Sequence, residues 1–112
     1  MPVGVLHIIS KMELVQKTQE SPEMLFVVCF SASWCKPCKV VKPRLKELCQ
    51  NSDTRFYFEV DIECDDFGDL SEECNIGSLP TVQMYRNGEM LSMFKGVNDL
   101  EDMCLFIQNN SK

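Results

Sequence analysis

The chain has 112 residues, enough for one domain that buries roughly two-thirds of the surface its unfolded form exposes. Hydrophobic residues make up 45%, charged residues 25%, and the net charge is −6 at pH 7, which argues against nucleic-acid binding and against anionic membrane surfaces. Seven cysteines are an odd number, so a fully paired secreted scaffold is not expected, and a reducing compartment with mostly free thiols fits best. The apolar stretch from Val3 to Ile9 is too short for a secretory signal and lacks a basic start. No segment approaches the ~18 apolar residues that span a bilayer.

Val3 to Ile9 reads as a first strand. It contains His7, the single histidine, read as structural because no partner motif surrounds it. Ser10 and Glu13 have capping-box spacing and open a helix from about Lys11 to Glu20, which Ser21, Pro22 and Glu23 end. Leu25 to Phe30 is a continuous apolar, β-branched and aromatic run, the pattern of a buried strand. Small residues Ser31, Ala32 and Ser33 suit a tight turn. A helix is predicted from about Cys35 to Gln50, with Val40, Val41, Leu45 and Leu48 on its apolar face. Pro43 should kink it one turn in, and Cys49 should pack.

Arg55 to Ile62 is the third strand, read as central, with Phe56, Phe58 and Val60 alternating with Tyr57, Glu59 and Asp61. Glu63, Asp65, Asp66 and Asp69 follow in an acidic loop that lacks the ligand spacing of a calcium-binding EF-hand. A short helix from Leu70 to Cys74 exits through Asn75 to Ser78. Thr81 to Tyr85 and Met90 to Phe94 form a hairpin whose Asn87-Gly88 turn supplies positive φ angles. Asn98 and Glu101 have capping-box spacing before a last helix that buries Leu100, Met103, Cys104 and Ile107. The order β-α-β-α-β-α-β-β-α implies a mixed sheet of about five strands, α/β in class, with helices on both faces and one domain over residues 1–112.

Chemistry concentrates in Trp34-Cys35-Lys36-Pro37-Cys38, where a strand hands over to a helix. Two thiols at this spacing can close a small disulfide or grip a metal. Zinc sites usually want four ligands, and one CxxC with one histidine falls short. Cys35 is placed at or just before the first helical turn, where unpaired N–H groups and the helix dipole favour a thiolate.

The segment Phe30 to Lys39 resembles the active site of the thioredoxin family. Pro43, Leu79-Pro80-Thr81 and Phe94-Lys95-Gly96 also resemble its kink-forming proline, its cis-proline segment and the glycine-bearing end of its last strand. Order and spacing agree from about Val5 to Ile107, most nearly with small eukaryotic cytosolic members. The resemblance implies the thioredoxin fold and protein dithiol–disulfide exchange, with Cys35 as exposed nucleophile and Cys38 as resolving thiol. It implies support from Trp34 and Pro37, a cis Pro80 against the disulfide, and Leu79 offering backbone groups to an extended substrate.

It further implies no bound cofactor or metal. Electrons would come from NADPH through thioredoxin reductase, to disulfide-containing protein substrates, in electron transport and redox homeostasis of the cytoplasm. A monomer is expected, because Ser78 stands where the family carries a dimerising cysteine. The alternative function is a binding module on the same fold with low redox turnover.

Two departures stand out. Cys29 occupies the position of a buried Asp six residues before the first active-site cysteine. It reads either as a small buried hydrophobe or as a third redox-linked thiol. Lys36 replaces the usual glycine, and a cation beside Cys35 should lower its pKa and raise the reduction potential, unless it simply points to water. Cys74, and more loosely Cys64, resemble regulatory cysteines of animal members.

Overall fold

The computed structural model describes residues 3–5, 11–50, 52–62 and 78–110. The first strand, β1, is Val3–Val5, followed by α1 at Lys11–Gln19 and β2 at Leu25–Ser31. Next come α2 at Cys38–Cys49 and β3 at Arg55–Asp61. The hairpin strands are β4 at Thr81–Arg86 and β5 at Glu89–Lys95, and α3 at Leu100–Asn110 closes the chain. The expectations for residues 6–10, including His7 and the Ser10 cap, lie outside the described residues. So do those for the acidic loop and the helix at 70–74, with Cys64 and Cys74.

Five strands form one sheet in the order β1-β3-β2-β4-β5. The pairings of β3 with β1 and with β2 are parallel, and those of β4 with β2 and with β5 are antiparallel. β3 lies inside the sheet between β1 and β2, as its sequence predicts, and β2 is the middle strand, with all seven of its residues buried. A strand covered on both faces needs apolar residues at every position, which is why Leu25 to Phe30 shows no alternation.

Successive side chains of β2 enter two different cores. Phe26, Val28 and Phe30 meet Leu14 of α1, Val60 and Tyr85. Phe56 and Phe58 extend that layer, with ring centroids 5.1 and 5.8 Å from Phe26. Leu25, Val27 and Cys29 meet Val41, Leu45 and Cys49 of α2, Tyr57 of β3, and Met103 and Ile107 of α3. Helices thus cover both faces, as the element order implies.

Helix α2 differs from expectation at its start and on its face. It begins at Cys38, three residues late, with Pro37 as its first flanking residue. The first i→i−4 bond runs from the Val41 N–H to the Pro37 carbonyl at 3.2 Å, and Pro37 disfavours helical backbone at Lys36 before it, so Cys35 and Lys36 stay in the turn. The buried stripe is Cys38, Val41, Leu45 and Cys49, while Val40 faces solvent. Those four positions recur at helical spacing, and Val40 lies one residue, about 100°, off the stripe. The helix runs through Pro43, on its exposed side.

The hairpin turn has Asn87 at φ 50° and Gly88 at φ 82°, as its sequence predicts. Gly88 also donates its N–H to the buried Thr18 hydroxyl at 2.8 Å, pinning the hairpin to the end of α1. The last helix is not entered through an Asn98 cap. Asn98 lies within a 3₁₀ turn, Val97–Asp99, and the Asp99 carboxylate instead accepts from the Lys95 N–H at 3.1 Å. Arginines from the sheet receive both helix ends: Arg55 donates to the Leu48 carbonyl, and Arg86 to the Asn110 carbonyl.

Candidate active site

The site forms where β2 stops. Ser31 ends the strand, Ala32 to Pro37 turn the chain, and α2 starts at Cys38. The turn brings Cys35 and Cys38 to a Cα separation of 5.4 Å and joins them in a disulfide. The Cys38 backbone N–H points at the Cys35 sulfur, 3.3 Å away. A donor in that position stabilises negative charge on Cys35 when the bond is reduced.

In the oxidised form Cys35 exposes 4% of its surface and Cys38 1%, so the expected exposed nucleophile is mostly covered. Ala32, Ile62 and Leu79 pack around the pair. The Leu79–Pro80 bond is cis and Pro80 is buried. The Pro80 carbonyl accepts from the Gly96 N–H at 2.9 Å, and the Thr81 hydroxyl donates to the Ser78 carbonyl at 2.6 Å. The segment from Ser78 to Thr81 is thereby fixed beside the disulfide, with Leu79 as its contact. Trp34 is 65% exposed, which excludes a core role for it, and Lys36 and Pro37 are exposed.

Cys29 is buried and free, on the α2 side of the sheet opposite Glu59. Burial pushes its thiol up to about 12, against a smaller lowering by the Tyr57 hydroxyl. A thiol held there stays protonated at neutral pH, the form that is a poor nucleophile. Tyr57, also fully buried, turns its hydroxyl toward this thiol and has no nitrogen or oxygen partner among the described residues.

One cluster escaped the sequence reading. Glu59 accepts from Lys42 at 2.9 Å and from Lys46 at 3.1 Å. Burial raises the Glu59 carboxyl, but the two lysines outweigh it and hold the group below its ordinary value. Lys42 and Lys46 are four residues apart on α2, and Lys42 is four residues after Cys38. That spacing was a usable signal, but the Glu59 partner depends on strand register. A cleft of ≈ 280 Å³ lies here, lined by Ser31, Ala32, Ser33, Lys42, Glu59 and Asp61. Among the described residues, no group of three or more His, Cys, Asp or Glu side chains is arranged to hold a metal.

A reversible disulfide between strand end and helix start, beside a fixed cis-proline segment, defines a thiol–disulfide exchange protein. Residues 6–109 match the family model described as Thioredoxin. The chain is 41% identical to thioredoxin of Gallus gallus over 76 residues, 68% of this chain and 70% of that protein. It is 37% identical to thioredoxin of Ovis aries over 94 residues, 84% and 88% of the two chains. The crystal structure of reduced Schistosoma mansoni thioredoxin pre-protein superposes with a TM-score of 0.76 at 28% identity, covering 98% of this chain and 99% of that one. The chain belongs to the thioredoxin family, has its fold, and is a protein dithiol–disulfide oxidoreductase of the protein-disulfide reductase type.

Proposed function

We propose that Cys35 is the nucleophile and Cys38 the resolving thiol of this exchange. The observation that carries the assignment is the Cys38 N–H aimed at the Cys35 sulfur, a stabilisation that Cys38 does not receive in return from Cys35. The Cys35 thiolate attacks a substrate disulfide, and one substrate sulfur leaves and takes up a proton. Cys38 then loses its proton and attacks the Cys35 sulfur, expelling the second substrate sulfur. Two electrons pass to the substrate, and the Cys35–Cys38 disulfide remains.

Trp34 offers an apolar contact at the mouth, Pro37 fixes the entry to α2, and Pro80 with Leu79 holds and pairs the extended substrate. Cys29 acts as a small buried hydrophobe, whereas Cys64 and Cys74 are the candidate regulatory thiols. The whole chain works as one domain and as a monomer, with no prosthetic group. NADPH regenerates the dithiol through a flavin-containing thioredoxin reductase. The setting is cytoplasmic electron transport. No described helix is long and apolar enough to cross a membrane.

NADPH consumption with insulin and a eukaryotic thioredoxin reductase tests this reading. Wild type turns over, and Cys35→Ser does not. Insulin reduction driven by dithiothreitol but not by the reductase would overturn the reductase assignment alone. No activity with either would overturn the site.

A further inference from the structure

The cations of this acidic chain are unevenly placed. Five of its eleven Lys and Arg residues lie between Lys36 and Lys46, and no Asp or Glu occurs from Trp34 to Lys46. The fold then divides the five. Lys42 and Lys46 turn toward the sheet and share Glu59. Arg44 pairs with Glu47 on the outer face of α2 at 3.3 Å.

Lys36 and Lys39, the two cations nearest Cys35, are exposed, and no carboxylate lies within 4.0 Å of either ammonium among the described residues. They flank the start of α2, whose first turn holds no acidic residue to offset the helix dipole. Beside them, Trp34 is 65% exposed and Val40 55%. Asp61, opposite Ser31 at the end of β3, lines the cleft it shares with Ser33 and Lys42.

We propose that Trp34, Lys36, Lys39 and Val40 form a docking face that selects disulfide substrates by charge, favouring protein segments whose disulfide is flanked by carboxylates. Cys35 lies between Trp34 and Lys36 in the chain, so a segment held on the face presents its disulfide to Cys35. Its positive charge stands out against a chain of net charge −6, which repels acidic proteins elsewhere on its surface. Such charges act mainly on encounter rate and on discrimination between partners, and they are screened by salt. The apolar pair supplies contact area that salt does not weaken. The proposal rests on the reading of Cys35 as nucleophile.

Stopped-flow reduction of two disulfide peptides by the reduced protein tests it. The peptides differ only in Asp/Glu or Lys/Arg residues beside the disulfide, and a small neutral aromatic disulfide reports the intrinsic reactivity of Cys35. At low salt the acidic peptide reacts about ten-fold faster than the basic one, within the range that electrostatic steering produces. The ratio approaches one as salt rises. The double variant Lys36→Glu/Lys39→Glu inverts the ratio after correction by the neutral probe. Lys17→Gln, on α1 across the sheet and already paired with Glu20, leaves it within about two-fold, a difference too small for steering. Equal rates for the two peptides at low salt, or a corrected ratio untouched by charge reversal, overturn the docking face. No reaction with the neutral probe overturns the Cys35 assignment, and the proposal with it.

Discussion

Cys29 shows how far burial alone sets the behaviour of a residue. Its thiol is held at about 12, and burial pushes that of Cys49 to about the same value. An unfolded chain ionises its cysteines near ~8.5. Above that pH the unfolded state releases protons that the native state keeps, so these residues make stability fall as pH rises from about 8.5 toward 12. At pH 8 the reduced native protein should leave Cys29 and Cys49 unlabelled by iodoacetamide, while Cys35 reacts. Labelling followed by mass spectrometry checks this, and rapid native modification of Cys29 would restore the reading of a third redox thiol.

Lys36 belongs to the same scale. A cation beside the Cys35 thiolate should stabilise the reduced form, which predicts a potential above the ordinary thioredoxin value of about −270 mV. Lys36→Gly should lower it, by about 10–30 mV if the change in thiolate stability is on the order of 1 kcal/mol. Redox titration against glutathione decides, and an unchanged potential would leave Lys36 with docking alone.

Among the elements, the hairpin β4–β5 depends most on one residue. Gly88 has φ 82°, and a Cβ there would stand 2.7 Å from the Gln19 side-chain nitrogen. Gln19 is flexible and can withdraw, but the backbone conformation cannot be relieved so simply. Gly88→Ala should cost about 1 kcal/mol or more, lowering Tm by roughly 4 °C. Thermal unfolding measures it, and the disulfide exchange rate should be unaffected because the turn lies at the far end of β4 from Pro80. A variant as stable as wild type would show that the turn relaxes. The other elements distribute their burden: β2 enters two cores at once, so no single side chain of α1 or α2 holds it.

For the whole molecule, the ion cluster of Glu59 with Lys42 and Lys46 joins α2 to the sheet. The Glu59 carboxyl is held below its ordinary value by these lysines, against the opposing effect of burial. The native state therefore takes up its proton less readily than the unfolded chain, whose glutamates titrate near ~4.3. The stability this provides is complete above that value and is lost as pH falls through the native one. Denaturant unfolding from pH 7 to pH 3 should show a shallower acid decline for Glu59→Gln than for wild type. Parallel declines would show that the cluster is too well solvated to couple to folding.

The amino-acid sequence alone determined the order of the described elements, the buried central run, the Asn-Gly hairpin and the CxxC at a strand-to-helix junction. Each of these is local: periodicity, turn chemistry and short spacings act within a few residues of one another. Three local details came out differently. Helix α2 starts at Cys38 because Pro37 disfavours helical backbone at Lys36 and itself takes the flanking position. Val40 faces solvent because it lies about 100° off the buried stripe of Cys38, Val41, Leu45 and Cys49, and Leu48 is only partly buried. Asn98 gave up its capping role to a 3₁₀ turn closed by Asp99.

Tertiary structure also decided which charges remain available. Lys36, Lys39, Lys42 and Lys46 look alike in the sequence. The pairing of Cys29 with Glu59 across β2 and β3 brings the carboxylate under α2, where it binds the second two and leaves the first two in solvent. Register between strands distant in the chain sets that division, because a one-residue slip would turn Glu59 to the opposite face.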